Sequence, residues 1–182
     1  MRTLIEELAS RISAHPTATE ALNEWCSRRM EPRADGILAH VLVDEETDRA
    51  SYGGPLAITK GESLRYRQVR LVWGETIVSE AENWYLPDRL PPAMRTRLLN
   101  GITPFGEVVR SLRPERMTVA VHSRDDLLHG GASLEQSMRR LAQVKISSPL
   151  ETFVLHIRAV VTTVEHGDLA EVREHYRREL VG

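Results

Sequence analysis

The chain has 182 residues, 41% of them hydrophobic and 27% charged, with a formal net charge of −2. That length suits one well-buried domain over residues 1–182, and the composition is too apolar for a disordered chain. The charge balance gives no support to a nucleic-acid partner, and no run reaches the roughly 18 apolar residues that a membrane span needs. A single cysteine, Cys26, excludes an intrachain disulfide and a cysteine-cage metal site. The N-terminus carries acidic residues and no signal-peptide core, so the expectation is a soluble cytoplasmic protein, monomer or homodimer.

Residues 1–31 read as a helical segment packed on the sheet that the later residues form. Thr3 with Glu6 fits a capping box, and Leu4, Ile5, Leu8 and Ile12 recur at helical spacing until His15-Pro16 breaks the run. Thr17 with Glu20 repeats the capping pattern and opens a second helix through Leu22 and Trp25, ended by Pro32 and Gly36. Ile37–Val43 is strand-like and leads into an acidic turn, Asp44-Glu45-Glu46. Residues 47–63 predict a loop with a short strand near Leu56–Thr59. Two strands come next, Leu64–Trp73 and Thr76–Leu86, joined at Gly74-Glu75, a two-residue turn with glycine first.

Pro91-Pro92 starts a helix over Ala93–Leu99, and Thr103-Pro104 starts another through Leu112, with proline in the first-turn position it tolerates. Met117–His122 predicts a strand, residues 123–132 a loop, and Ser133 with Gln136 a helix reaching Leu141. Phe153–Thr163 is a strong strand followed by a turn at His166-Gly167-Asp168. The tail from Leu169 fits both periods, and we read it as a strand ending in a short helical turn. Helices first, then hairpin-connected strands, predict an α+β protein whose single, mostly antiparallel sheet has about five or six strands.

The central hairpin carries the chemistry. A regular ladder from Gly74-Glu75 pairs Leu71 with Val78, Val69 with Glu80 and Arg67 with Glu82. One end of that face then brings a guanidinium beside two carboxylates and apolar side chains. Arg67 and Glu82 form a cross-strand ion pair worth up to about 1 kcal/mol in one reading. In the other, Arg67 lines a pocket and grips a ligand carboxylate through its planar fork. A one-residue slip of register separates the pair, so register decides between them.

Tyr66-Arg67-Gln68-Val69-Arg70-Leu71, the turn Gly74-Glu75, Pro87 and the helix opening Thr103-Pro104-Phe105-Gly106 resemble the chorismate lyase-like family. That family shares its fold with the UTRA ligand-binding domains of GntR/HutC-type regulators. The resemblance spans about residues 20–165 and implies a ligand enclosed between an antiparallel sheet and helical flaps. It also implies cofactor-free conversion of chorismate to 4-hydroxybenzoate and pyruvate. Arg67 matches the arginine that holds the substrate carboxylate, Phe105 a residue beside the product ring with Gly106 next to it, and Met30 a methionine across the pocket.

The family's late-strand glutamate falls at His156, which departs from the pattern. Eliminating pyruvate mainly needs orientation and a proton donor. His156 could supply the proton near its usual pKa, and Glu80 or Glu82 could do so if burial raised theirs.

His156 otherwise reads as a hydrogen-bonded core residue. His122, His129, His156 and His166 lack metal-ligand spacing, so neither a metal nor a cofactor is expected. Cys26 reads as a small core residue, and no glycine-rich phosphate cradle is present. The sequence thus leads to a chorismate lyase-like enzyme acting on a small carboxylated ring compound. The alternative is a non-catalytic domain of the same fold that binds a small acid. A third option makes the Arg67–Glu82 pair a structural strut.

Overall fold

A computed structural model describes residues 2–129 and 150–182. Six strands form one antiparallel sheet in the order β1-β2-β3-β6-β5-β4. They are β1 (Ile37–Glu46), β2 (Arg65–Trp73), β3 (Thr76–Tyr85), β4 (Glu115–Ser123), β5 (Phe153–Thr163) and β6 (Gly167–Arg177). The α+β architecture expected from the sequence is the one observed. The helices are α1 (Arg2–Ala14), α2 (Ala18–Arg29), α3 (Pro92–Leu99), α4 (Phe105–Val109) and α5 (Arg124–His129).

Thr17 caps α2 as its pattern predicts, accepting the Glu20 N–H at 3.3 Å. The tail is a strand followed by a 3-10 turn at Arg178–Leu180. Three local expectations differ from the structure. The acidic stretch Asp44-Glu45-Glu46 continues β1 instead of turning, because Asp44 pairs with Arg65 and Arg67 of the neighbouring β2. Residues 56–59 form no strand. Residues 124–129 are helical where the composition predicts a loop, since Ser123 and Asp126 cap one another reciprocally. The helix expected at 133–141 lies outside the described residues.

One face of the sheet is covered by helices. Leu8 and Ile12 of α1 and Leu22 and Trp25 of α2 pack with Val69, Leu71, Ala81 and Ile157. Phe105, Val108 and Val109 of α4 and Leu98 of α3 pack with Tyr85, Ala159, Val161 and Val172. These two clusters meet at a seam between α2 and α4. The opposite face carries charged side chains, with Leu56, Tyr52 and Ile58 of the 47–63 segment packed beside Val160 and Trp84 at one end. Among the described residues, no helix is long and apolar enough to cross a membrane.

Candidate functional site

The turn at Gly74, with φ of 59°, forms as predicted, but the ladder beyond it does not run regularly. Val72 pairs with Ile77 whereas Leu71 pairs with Ser79, so a bulge at Val78 moves β3 by one residue. Arg67 consequently faces Asn83, and Glu82 faces Gln68. The expected Arg67–Glu82 pair is therefore corrected: the two side chains lie on opposite faces of the sheet.

Arg67 points to the helix-covered face, where its side chain is 0% exposed. Its Nη2 donates to the Thr103 carbonyl at 3.2 Å, immediately ahead of α4. Nε lies 3.5 Å from Asp44 Oδ2, while Nε and Nη1 make no hydrogen bond. Burial lowers its pKa from the usual arginine value, and the Asp44 charge opposes that shift. Asp44 is already shared: its Oδ1 accepts from Arg65 Nε at 2.9 Å, and the Tyr85 hydroxyl donates to it at 3.2 Å. Burial first, and then the Asp44 charge, push the Tyr85 phenol up to about 12. Donors without acceptors in a dry site cost about 1–3 kcal/mol each, so Arg67 carries hydrogen-bonding capacity that the fold leaves unused.

A cavity of about 40 Å³ lies at the seam, walled by Val69, Ala81 and Asn83 of the sheet, Thr17 and Thr19 of α2, and Phe105 of α4. Gly106 makes this approach possible: a Cβ there would stand 2.7 Å from Thr17 Cβ and 2.9 Å from Thr19 Oγ1. Arg67 is not among this cavity's lining residues, whereas Phe105 and Gly106 line it. Met30 does not. It caps the C-terminal end of α2, whereas the cavity adjoins the N-terminal end, roughly 18 Å away along a 12-residue helix.

Glu80, Glu82 and His156 face the other side of the sheet. Glu80 pairs with Arg70 at 3.5 Å, Glu82 accepts from the Tyr66 hydroxyl at 2.7 Å, and His156 Nδ1 lies 2.6 Å from His175 Nδ1. Arg67 is not brought together with any of these three.

Three residues that sequence reasoning passed over line the cavity instead: Asn83, Arg116 and Glu174. Arg116 Nη1 and Nη2 hold the Glu174 carboxylate, with Nη1 at 3.2 Å, and the Tyr176 hydroxyl donates to the same carboxylate at 2.8 Å. Arg116 Nε has no hydrogen-bond partner. Alternation in β6 puts Glu174 on the face of Val172 and Tyr176, a signal hidden by the double periodicity of the tail. Among the described residues, no group of three or more His, Cys, Asp or Glu is placed to hold a metal ion.

No family model matches the chain. It is 29% identical over 182 residues to the uncharacterized protein y4mC of Sinorhizobium fredii (strain NBRC 101917 / NGR234), covering 98% of this chain and 75% of that protein. Among solved structures, the effector domain of PhnF from Mycobacterium smegmatis matches with a TM-score of 0.49 and 14% identity, over 90% of this chain and 89% of that one. The ligand-binding domain of a putative GntR-family transcriptional regulator from Bordetella bronchiseptica matches with a TM-score of 0.46 and 13% identity, over 81% and 86%. Likenesses this distant carry no inference about what the chain binds.

Proposed function

We propose that this protein is a non-catalytic binding domain for a small carboxylic acid, held between the sheet and the α2–α4 seam. The observation that carries the reading is Arg67, fully buried with Nε and Nη1 lacking hydrogen-bond acceptors. A carboxylate fits that requirement, since its oxygens accept charge-assisted N–H bonds from a guanidinium. Phe105 and Gly106 flank the bound molecule, and the Asn83 carboxamide offers both a donor and an acceptor.

The cavity's 40 Å³ has room for a few water-sized groups, whereas a hollow that takes benzene is about 150 Å³. Entry of a ring therefore requires the seam to widen. Thermal unfolding with benzoate and 4-hydroxybenzoate tests the reading. Stabilisation of about 2.7 kcal/mol is expected at a hundredfold excess over Kd, and its loss in Arg67→Met is the specific result. Equal stabilisation of both proteins would remove Arg67 from the site.

Glu174 supports a second reading. A glutamate on the last strand lines the cavity, as the lyase resemblance requires, and not at the position of His156. Its oxygens already accept from Arg116 and Tyr176, which is why the non-catalytic reading leads. Incubation with chorismate separates the two: release of 4-hydroxybenzoate and pyruvate, abolished in Glu174→Gln, supports the lyase.

A further inference from the structure

A second hollow, of about 260 Å³, opens on the surface where β1 and β3 end and β2 begins. Its charged lining is Arg65, Arg95, Glu46 and Asp88, and Tyr85 and Leu99 supply apolar wall. The volume is near the lower end of small-molecule pockets, about 300 Å³. Nothing in the acid-binding reading uses this place.

Arg65 is held rigidly. Its Nε donates to Asp44 Oδ1 at 2.9 Å and to the Tyr85 hydroxyl at 3.1 Å, and its Nη2 donates to the Asp44 carbonyl at 3.0 Å. Nη1 makes no hydrogen bond among the described residues, so one edge of a pre-oriented guanidinium stays available. Arg95 is half-buried, and neither it nor Glu46 has an ion pair or side-chain hydrogen bond among the described residues. Asp88 is fixed by the Ser63 N–H at 2.7 Å. Leu99 is 64% exposed beside these charges.

We propose that this hollow is a second binding site and takes an α-amino acid with an apolar side chain. A lone anion there meets Glu46 and Asp88, and a lone cation meets two arginines. A molecule with both charges on neighbouring atoms satisfies all four groups. Its carboxylate takes Arg65 Nη1 and Arg95, its ammonium takes Glu46 and Asp88, and its side chain covers Leu99 and the Tyr85 ring. Because Arg65 holds Asp44, and Asp44 Oδ2 lies 3.5 Å from Arg67 Nε, the outer site touches the inner one through a single carboxylate.

Calorimetric titration of the full chain with L-leucine tests the proposal, using isocaproate (no ammonium) and isoamylamine (no carboxylate) as comparisons. Leucine binds, and to Arg67→Met, whose inner acid site is removed, each analogue binds at least about tenfold more weakly than leucine, the loss of one charged contact. Arg95→Ala and Glu46→Gln, both on the hollow's open wall, each weaken leucine about tenfold, while Arg67→Met leaves leucine bound. That last arm separates failure here from failure of the inner acid site. Isocaproate binding to Arg67→Met as well as leucine does, no heat from leucine at about 10 mM, or leucine binding lost in Arg67→Met but kept in Arg95→Ala would each overturn the proposal.

Discussion

Acid should unfold this protein through two histidines buried on the charged face of the sheet. His156 and His175 are 6% and 2% exposed, and their Nδ1 atoms are 2.6 Å apart. A contact of that length between ring nitrogens holds one proton, donated by one neutral ring and accepted by the other. Burial, and then the facing His122, lower the His156 pKa to about 4. Burial, then His156 and Arg173, hold His175 well below its usual value, with Glu80 opposite it on β3. An unfolded histidine titrates near 6.5. Between about 6.5 and 4 the unfolded chain therefore binds protons that the fold refuses, so stability falls as the pH drops through that window and is flat above it.

For His156 the loss is about 3 kcal/mol over the window, and His175 adds to it with the same sign. Urea unfolding followed by tryptophan fluorescence, repeated from about pH 7.5 to about pH 4.5, measures the slope. Each histidine contributes at most about 1.4 kcal/mol per pH unit. His156→Gln keeps an acceptor for His175 but does not titrate, so its slope near pH 5 should be shallower by up to that amount. Carboxylates that titrate nearby act equally in both proteins and cancel in the difference. Identical slopes would refute the reasoning.

Arg67→Met should leave the ligand-free protein as stable as the parent or more so, because it removes buried donors without acceptors while Asp44 keeps Arg65 and Tyr85. A loss above about 2 kcal/mol in urea melts would mean that Arg67 is a strut. Gly106→Ala should cost about 1–3 kcal/mol and weaken acid binding, since its Cβ would stand 2.7 Å from Thr17 Cβ; a neutral effect on both would contradict the close approach of α2 and α4. Arg116→Met should cost about 3–5 kcal/mol by stranding Glu174, and adding Glu174→Leu should recover most of that, as a double-mutant cycle in urea reports.

Much of the fold was legible because its signals are local. Thr17 with Glu20, the glycine at Gly74 and the alternation in Phe153–Thr163 each act within a few residues. The missed helix at 124–129 depended on Ser123 and Asp126 capping each other in a stretch whose composition reads as loop. The persistence of β1 through Glu46 depended on arginines about 20 residues away on β2, which no local window contains.

The site was less legible, and the bulge at Val78 is the reason. Side chains alternate with period two, so one inserted residue exchanges the faces of everything beyond it on β3. With a regular ladder, Glu80 and Glu82 would stand beside Arg67 and occupy its donors. With the bulge, those carboxylates join Tyr66 and Arg70 on the far face, and Asn83, a neutral side chain, takes the place next to Arg67. The sheet is thereby divided into a face whose carboxylates are engaged and a face with a guanidinium still in need of an acceptor. Inserting one residue after Ser79, with the bulge kept, would therefore place Glu82 opposite Arg67, and acid binding should disappear with it. Retained binding in a folded insertion variant would show that the β3 register does not set the site's charge.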